Sequence, residues 1–357
     1  MPQSLSKCWA FCAVLCTWAV CFALSLGAQG VSNASSSDPR SLLLAAATAN
    51  GAPSAIAKPW HAKITFTLYD WDGKPELQGT VEEFWAAPDK LKFVYTTSLF
   101  NQVEYTTPAG VRRTGSPDGA PLEITNIVDQ FLHPIRLDQT SIEAAKLQEH
   151  ELKLGSTALA CVTATGKDSS NVDPAVDTTY CMSDSAPVLR LTLRGLNGFQ
   201  RTTFNSILKF QDHYFPQTVD RQLAAPNARS GRTQFAAKLE TLEVINPADD
   251  ASFTPPNEAT PPPPMITLDE KTTKPQLQLQ AAPVYPPIAK AARVSGDVVI
   301  SLQVQTDGHV SGLRVLSGPA MLQQAAIDAV KKWIYKPFDQ NGERVEVNTI
   351  VTVRFRL

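Results

Sequence analysis

Several features that would point to a nucleic-acid-binding protein or to an enzyme are missing from this sequence. The formal net charge is -2, so there is no basic excess that would attract a nucleic-acid backbone. None of the histidines forms the two-histidine helical pair of a zinc protease, and no phosphate-binding glycine loop, nucleophile elbow or dinucleotide fingerprint occurs. The sequence therefore predicts a protein without a catalytic residue, cofactor or metal, and without a nucleic-acid partner. The five histidines are His61, His133, His150, His213 and His309.

Cysteine is scarce in the part of the chain that is expected to fold. Only Cys161 and Cys181 lie outside the amino-terminal apolar run. Both fall in predicted strands joined by a polar loop, and opposed residues of adjacent antiparallel strands lie within the span of a disulfide. In an exported protein we expect these two cysteines to be bonded, and two buried free thiols are the alternative.

Charge is absent from the run between Cys8 and Leu26, which follows Lys7. Such a run is long for the core of a signal peptide and near the lower limit for a membrane-spanning helix. Ala28-Gln29-Gly30 supplies the small-x-small pattern of a cleavage site. We therefore expect residues 1–30 to be a signal peptide that exports the chain to the periplasm. Anchoring in the inner membrane by residues 8–26 is the alternative.

The next part of the chain has the pattern of a β-sheet with helices inserted. Residues 31–57 form a polar lead-in, in which Asp38 and Pro39 predict a capped helix from Pro39 to Ala49. Between residues 58 and 246, some ten segments alternate with a period of two, and helical spacing interrupts them at Ile124–Leu132 and Ile142–Leu147. The pattern predicts an α+β fold with one curled antiparallel sheet that resembles an open barrel.

This order of a helix, a long meander, inserted helices and further strands resembles the LolA/LolB lipoprotein-carrier fold, an open barrel with an apolar hollow. The resemblance implies a lipid or another hydrophobic ligand as a partner, and a periplasmic carrier as an alternative function. Buried aromatic side chains are ordinarily core, and we interpret the aromatic candidates for the hollow in that way. They are Phe66, Phe84, Phe93 and Phe131.

Proline marks a change of composition over residues 247–276, where it stands among Asp, Glu, Thr and Asn. Such a stretch buries little apolar surface by itself, and proline favours an extended chain. We therefore predict a proline-rich linker between two domains. Its reach would suit a last domain that contacts a distant partner, and a plain spacer is the alternative interpretation.

Residues 277–357 have the pattern of a small domain with one helix on a three-stranded sheet. A turn is predicted at Asp307-Gly308, because this pair accepts the positive φ angles of a tight hairpin, and an irregularity is expected near Gly312. The apolar stripe of the helix and the long dry face of the final strand would pack together. The predicted elements are strand Asp297–Gln305, strand Val310–Leu316, helix Met321–Tyr335 and strand Val345–Leu357.

Six short motifs fall in a fixed order along this last stretch. They are Tyr285-Pro286, Gly296-Asp297-Val298, Asp307-Gly308, Ala326 with Ala329-Val330, Trp333 with Tyr335-Lys336-Pro337, and Val351 to Leu357. In order and spacing the stretch resembles the TonB C-terminal domain over roughly 75 residues.

This resemblance implies outer-membrane TonB-dependent receptors as partners, and it implies a role in coupling energy to transmembrane transport. ExbB and ExbD are the further partners that it implies. The family's anchor carries a histidine thought to couple to these two proteins, whereas no histidine precedes His61 here.

The last strand is expected at an edge of its sheet, where main-chain groups are left unpaired. The resemblance implies that this strand accepts a short receptor segment by strand addition. Self-pairing into a homodimer and a solvated edge are the alternatives. The residues predicted to bind the partner are Tyr285, Pro286, Val347, Thr349, Ile350, Val351, Thr352, Val353, Arg354 and Phe355.

Overall fold

The computed structural model describes residues 38–52, 58–70, 73–116, 119–165, 178–183, 186–194, 200–223, 231–246 and 253–357. The predicted signal peptide or anchor, much of the lead-in and the start of the predicted linker lie outside these ranges. Most of the described residues form strands, with a few helices, in agreement with an α+β fold. None of the helices within the described ranges is long and apolar enough to cross a membrane.

A twelve-stranded antiparallel sheet, the first sheet, holds most of the described residues before residue 246. Its strands are β1 (Trp60–Tyr69), β2 (Pro75–Ala87), β3 (Lys90–Thr97), β4 (Asn101–Thr107), β5 (Gly110–Gly115), β6 (Lys146–Leu154), β7 (Thr157–Thr165), β8 (Thr178–Ser183), β9 (Leu189–Arg194), β10 (Gln200–Phe210), β11 (His213–Leu223) and β12 (Arg232–Val244). The spatial order is β5-β4-β3-β2-β1-β12-β11-β10-β9-β8-β7-β6. Strands β5 and β6 are therefore the two ends, and the sheet is not closed into a barrel.

Three helices pack on this sheet: α1 (Pro39–Ala49), α2 (Leu122–Leu132) and α3 (Gln139–Ala144). The bounds predicted for α1 are confirmed, and the Asp38 side chain accepts a hydrogen bond from the Ser41 amide at its start. Leu43 of α1 and Phe131 of α2 are buried in one hydrophobic core with the sheet. Helices α1, α2 and α3 therefore pack on the apolar side of the sheet among the described residues.

The aromatic candidates for a ligand cavity divide between the two faces of the sheet. Phe66 and Phe131 are buried core residues, and Phe93 packs against that core, as predicted. Phe84 differs, because it stacks on the His61 ring with 4.2 Å between ring centroids. Strand alternation places it on the face opposite to its buried neighbour Glu83.

Strand β6 was not predicted, and its first residues were expected to end a helix at Leu147. In the structure α3 ends at Ala144 and β6 begins at Lys146. The segment Lys146–Leu154 contains Glu, Lys, Gln and Leu, which favour helices, and no β-branched or aromatic residue. Pairing with β7 overrides that local preference.

The predicted disulfide between Cys161 and Cys181 is confirmed. The two residues lie opposite each other in the β7–β8 register, and their sulfur atoms are 2.06 Å apart. Both cysteines are completely buried, in a small apolar cluster with Leu159 and Leu191. The bond therefore links two strands next to the β6 end of the first sheet.

The second sheet has five strands, so the prediction of three strands was wrong. Its path is β13-β19-β15-β16, and β18 also pairs with β19. The strands are β13 (Met265–Thr267), β15 (Gly296–Val304), β16 (Val310–Ser317), β18 (Phe338–Gln340) and β19 (Glu343–Phe355); β14 (Leu277–Leu279) pairs separately with β17 (Ile334–Tyr335). The predicted irregularity near Gly312 is confirmed by a register shift in the β15–β16 pair. The helices here are α4 (Glu270–Thr273), α5 (Pro287–Ala291) and α6 (Ala320–Val330).

Helix α6 ends five residues earlier than predicted. Val330 is its last residue, and Ile334-Tyr335 forms β17 instead. Pro337 disfavours the helical conformation at Lys336, so the chain becomes extended before it. The Trp333 indole nitrogen donates to the Ala281 carbonyl at 3.0 Å, which ties this end to the start of the domain.

The turn at Asp307-Gly308 requires glycine for two reasons. The φ angle of Gly308 is 90°, in the left-handed region. A Cβ atom at this position would lie 2.0 Å from the Tyr335 carbonyl oxygen. The Tyr335 amide also donates to the Gly308 carbonyl at 2.9 Å, so the turn and β17 are held together.

The described part of the predicted linker, from Phe253 onward, is not an extended spacer. Phe253 is buried, and Thr260 exchanges two backbone hydrogen bonds with Arg113 of β5. Met265–Thr267 pairs with β19, and Thr273 is completely buried. The composition argument failed because this stretch needs no core of its own when it packs against two existing sheets. The predicted domain boundaries themselves remain predictions.

Candidate partner-binding edge

Strand β19 has different neighbours along its two sides. On one side, residues 347–355 pair continuously with β15. On the other side, β13 covers residues 346–348. The short strand β18 pairs with residues 343–345 at the start of β19. From residue 349 to residue 355, no described strand pairs with that outer side. The prediction of an edge strand is therefore wrong for the first half of β19 and agrees with the structure in the second half.

The even-numbered residues of β19 turn their main-chain groups to the outer side. The Glu346 amide donates to the Pro264 carbonyl at 2.9 Å, and the Asn348 carbonyl accepts from the Leu268 amide at 3.0 Å. Because main-chain directions alternate along a strand, the amides and carbonyls of Ile350 and Arg354 point the same way. These groups form the open part of the edge.

One amide of the open part already has a partner from the same chain. The Thr352 amide donates to the Glu270 carboxylate of α4 at 3.2 Å. The neighbouring Thr273 hydroxyl lies 3.3 Å from the Thr349 hydroxyl, and both of these threonines are buried. Helix α4 is therefore fixed beside residues 349–352 of the strand.

We name residues 264–273 the edge strap, since they run along the outer side of β19 as β13 followed by α4. Ile266 and Leu268 are half-buried against the core of the second sheet, whereas Met265 is 51% exposed. Alternation of Met265, Ile266, Thr267 and Leu268 is the sequence signal that could have revealed the strap, together with the capping residue Asp269. The prolines before it concealed this signal.

The predicted partner-binding residues of β19 fall on two faces. Val347, Thr349, Val351, Val353 and Phe355 are at most 3% exposed and point into the core beneath α6. The opposite face presents the other three, with Ile350 at 48% exposure, Thr352 half-buried and Arg354 exposed. A strand that adds at the outer edge would touch the main chain of β19 and the side chains of this second set, which is Ile350, Thr352 and Arg354.

Tyr285 and Pro286 lie near the end of β19. The Tyr285 ring packs edge-on against Phe355, with 5.5 Å between ring centroids, and its hydroxyl donates to the Val294 carbonyl. Pro286 precedes the first turn of α5. The motif thus positions α5 against the strand end, and it brings two exposed apolar residues nearby in sequence, Val284 and Ile288.

The charges near the open edge have both signs. Arg356 forms an ion pair with Asp297 at 2.6 Å, and Arg354 lies exposed beside it in sequence. Glu270, which holds the Thr352 amide, supplies a negative charge on the strap. A partner strand would therefore meet an exposed apolar side chain, Ile350, and a cation, Arg354.

The first half of β19 is also fixed from its even-numbered face. Glu346 is 1% exposed, and its two carboxylate oxygens accept from the Gly119 amide at 2.8 Å and from the Gln303 side chain at 3.0 Å. Gly119 precedes α2, the helix that packs on the first sheet. This half is therefore closed to a partner on one face and along its outer side.

Comparisons with known proteins agree with the motif pattern of the last stretch. Residues 281–357 match the family described as Gram-negative bacterial TonB protein C-terminal. The predicted resemblance is confirmed over these residues. The TonB protein of Xanthomonas campestris pv. campestris strain B100 is 35% identical over 77 residues, which are 21% of this chain and 34% of that protein. The TonB protein of Vibrio cholerae serotype O1 is 30% identical over 80 residues, or 22% of this chain and 33% of its own.

This chain spans about a third of the length of these curated TonB relatives. Among solved structures, a LolA superfamily protein from Nitrosomonas europaea aligns with 60% of this chain and 96% of its own length. Its sequence identity is 10% and its TM-score is 0.38.

Away from the edge, we searched the described residues for metal-binding groups and for cavities. No group of three or more His, Cys, Asp or Glu side chains within them could hold a metal ion. An open groove of about 780 Å³ lies over β1, β2, β3, β11 and β12. Its lining includes Thr65, Thr67, Thr80, Thr96 and Thr218, which alternate with core residues and so lie on the opposite face.

Proposed function

We propose that this protein is a non-enzymatic, periplasmic TonB-like protein that binds outer-membrane transporters through its carboxyl-terminal domain. The binding mode is addition of a short transporter segment to the outer edge of β19, at Ile350, Thr352 and Arg354. The observation that carries the proposal is this open edge, with outward main-chain groups, inside the stretch that matches the TonB C-terminal family.

Strand addition requires few side-chain contacts, which agrees with an edge that presents only Ile350, Thr352 and Arg354. Main-chain hydrogen bonds give most of the affinity in this binding mode, and side chains at alternate positions select the partner. Ile350 would contact an apolar residue of the partner, and Arg354 an acidic one. The buried residues of the opposite face anchor the strand in the core.

The test compares two substitutions of the same residue in the full chain. Proline at Ile350 removes the outward amide, whereas Ile350→Thr keeps the amide and the β-branch. Each protein is immobilised and exposed to detergent-solubilised outer membranes, and retained proteins are identified by mass spectrometry. We expect outer-membrane transporters to be retained by the parent and by Ile350→Thr, and to be lost from Ile350→Pro.

Two results would contradict the proposal. One is that the parent retains no outer-membrane transporter. The other is that Ile350→Pro retains transporters as well as Ile350→Thr does, while circular dichroism and thermal unfolding show that both variants are folded. If the parent instead elutes as a dimer and Ile350→Pro as a monomer, the edge serves self-pairing into a homodimer.

Energy coupling is a further part of the hypothesis. Partnership with ExbB and ExbD would require residues 8–26 to remain as an anchor, and the anchor histidine of the family has no counterpart there. Membrane fractionation with amino-terminal sequencing distinguishes a cleaved chain, which begins near Gln29 or Val31, from an anchored one that keeps Met1.

The alternative function is a periplasmic carrier of a lipid or another hydrophobic ligand through the first sheet. It has weaker support, because helices α1 and α2 fill the apolar side of that sheet with buried side chains. The open groove on the other face is lined largely by threonine. Lipid that co-purifies with the chain in stoichiometric amount, as measured by mass spectrometry, would favour this alternative.

A further inference from the structure

We propose that the edge strap is an internal competitor for the partner-binding edge, so that a transporter segment must displace it to pair with β19 along its full length. This inference rests on the proposed function, because it concerns access to the same edge. The occupant is therefore residues 264–273 of this chain, and the displacing partner is an extended peptide.

The first argument is that the strap uses the same main-chain groups that a partner would use. The strap pairs in parallel with residues 346–348 through Met265, Ile266 and Thr267. It also takes the amide of Glu346 and the carbonyl of Asn348 through Pro264 and Leu268. A second strand cannot bond to these groups while the strap is in place, since each has one outward direction.

The second argument is that the strap reaches beyond its strand into the open half. Glu270 accepts from the Thr352 amide at 3.2 Å, in the middle of the part that no strand pairs. With the strap in place, only the outward groups of Ile350 and Arg354 and the Thr352 carbonyl remain. Strand addition at this residual edge would be too short to give much affinity.

The third argument is that the strand part of the strap makes few contacts, whereas α4, with its buried Thr273, is the better-held part. The strand pairing covers three residues, and the apolar anchors Ile266 and Leu268 are only half-buried. By contrast, β15 pairs with nine residues of β19 on the other side. Displacement would therefore remove the strap and leave the sheet intact.

The strap also connects the edge to the first sheet. Thr260, four residues before Pro264, exchanges two backbone hydrogen bonds with Arg113 of β5, at 2.7 and 2.9 Å. Movement of the strap would therefore pull on the two hydrogen bonds between Thr260 and Arg113. A partner that takes the edge would loosen the contact of residues 253–263 with β5.

The test locks or releases the strap in the full chain. Thr267 and Asn348 are register partners, so Thr267→Cys with Asn348→Cys can form a disulfide that locks it. Ile266→Asp with Leu268→Asp removes the apolar anchors and releases it. Leu99→Asp with Val284→Asp is the matched control for the two added charges, because these residues are 82% and 81% exposed and lie outside the strap. Thr267→Cys alone, treated with the same reductant, controls for the native disulfide.

Two peptides serve as probes. The first is a synthetic periplasmic segment of a transporter retained by the parent chain. The second is a peptide with the sequence of residues 262–273, the strap itself. If the strap is closed nine-tenths of the time, its release raises the apparent affinity for either peptide about tenfold. The oxidised lock should abolish binding of both, and reduction should restore it.

The outcomes separate this inference from the proposed function. Equal affinity of the transporter segment for the parent, released and locked chains would overturn the competitor and leave strand addition standing. Failure of every transporter segment with the released chain would overturn the proposed function. The strap peptide still tests the competitor in that case. Tighter binding of this peptide to the released chain than to the parent supports the competitor, and equal binding to both chains overturns it.

Discussion

The two sheets manage their exposed edges in different ways. Strand β6, at the end of the first sheet, carries the exposed charges of Glu149, Glu151 and Lys153 along its length. Such charges hinder the approach of another strand. Strand β19 of the second sheet presents Ile350 and is covered instead by a removable segment of its own chain. The comparison therefore sets an edge that fixed charges protect against an edge that a segment of the same chain covers.

The largest expected effect concerns a buried carboxyl of the first sheet, whose removal should change stability without changing the edge of the second sheet. Glu83 is 4% exposed, and burial, with the nearby charge of Asp129, raises its pKa to about 8 from an ordinary value of 4.5. Between these two pH values the folded protein keeps a proton that the unfolded chain has lost. The contribution of Glu83 to the unfolding free energy is therefore fully present below pH 4.5, and it is lost as the pH rises through 8.

The parent should lose about 4 kcal/mol of unfolding free energy between pH 5 and pH 9 from this group. Glu83→Gln, which has no proton to lose, should flatten that part of the profile. Urea unfolding at each pH measures the effect. Identical slopes for the parent and the variant would show that Glu83 titrates normally. Partner binding by β19 should not change in the variant.

Removing the disulfide is the next largest change to the first sheet. Cys161→Ala with Cys181→Ala should lower the unfolding free energy by about 3 kcal/mol, because the bond closes a loop in the unfolded chain. The separation of the two residues in sequence is 20. Chemical denaturation under non-reducing conditions measures this loss. An unchanged midpoint would mean that strand pairing alone holds β7 and β8 together.

Two glycines, Gly308 and Gly342, test the stability of the second sheet. Gly308→Ala should cost about 2 to 3 kcal/mol, because the residue has a positive φ angle and its Cβ would clash with the Tyr335 carbonyl. Gly342→Ala is the matched control, since φ is 85° there and a Cβ would meet nothing within 4 Å. The control should cost about 1 kcal/mol. Thermal unfolding compares them, and equal costs would remove the close approach as the reason.

Neutralising the β6 edge tests the contrast directly, with a smaller effect. Glu149→Val with Glu151→Val should make this edge a template for pairing, and we expect weak, concentration-dependent self-association. Light scattering after size exclusion measures it. The same two positions changed to Gln are the control, which keeps a polar edge. A monomer at every concentration for the valine variant would show that charge is not what closes β6.

Much of this fold could be predicted from residue patterns. Helix α1 follows from Asp38 and Pro39, and the period-two alternation predicts most strands of the first sheet. The cysteine pair was predicted because strand alternation brings Cys161 and Cys181 opposite each other. These features depend on neighbours in sequence or on one adjacent strand, so local rules suffice for them.

The candidate site was harder to predict, because its cover comes from a distant segment of unsuitable composition. Pairing of Met265–Thr267 with β19 joins residues about 80 positions apart, and the prolines before it indicated a linker. Glu270 showed no sign in sequence of reaching the Thr352 amide. The assignment of Val347 and Val351 as contacts stays a prediction. These residues share a strand with the open edge, and their side chains point into the core.

Amide hydrogen exchange along β19, measured by NMR with and without a bound transporter segment, tests the central claim most directly. Strand addition predicts that the outward amides of Ile350 and Arg354 exchange fast in the free chain and become strongly protected on binding. The amides of Val351 and Val353, which face β15, should already be protected and should change least. If Ile350 and Arg354 exchange at the same rate with the segment bound, the partner does not add to this edge and the account is wrong.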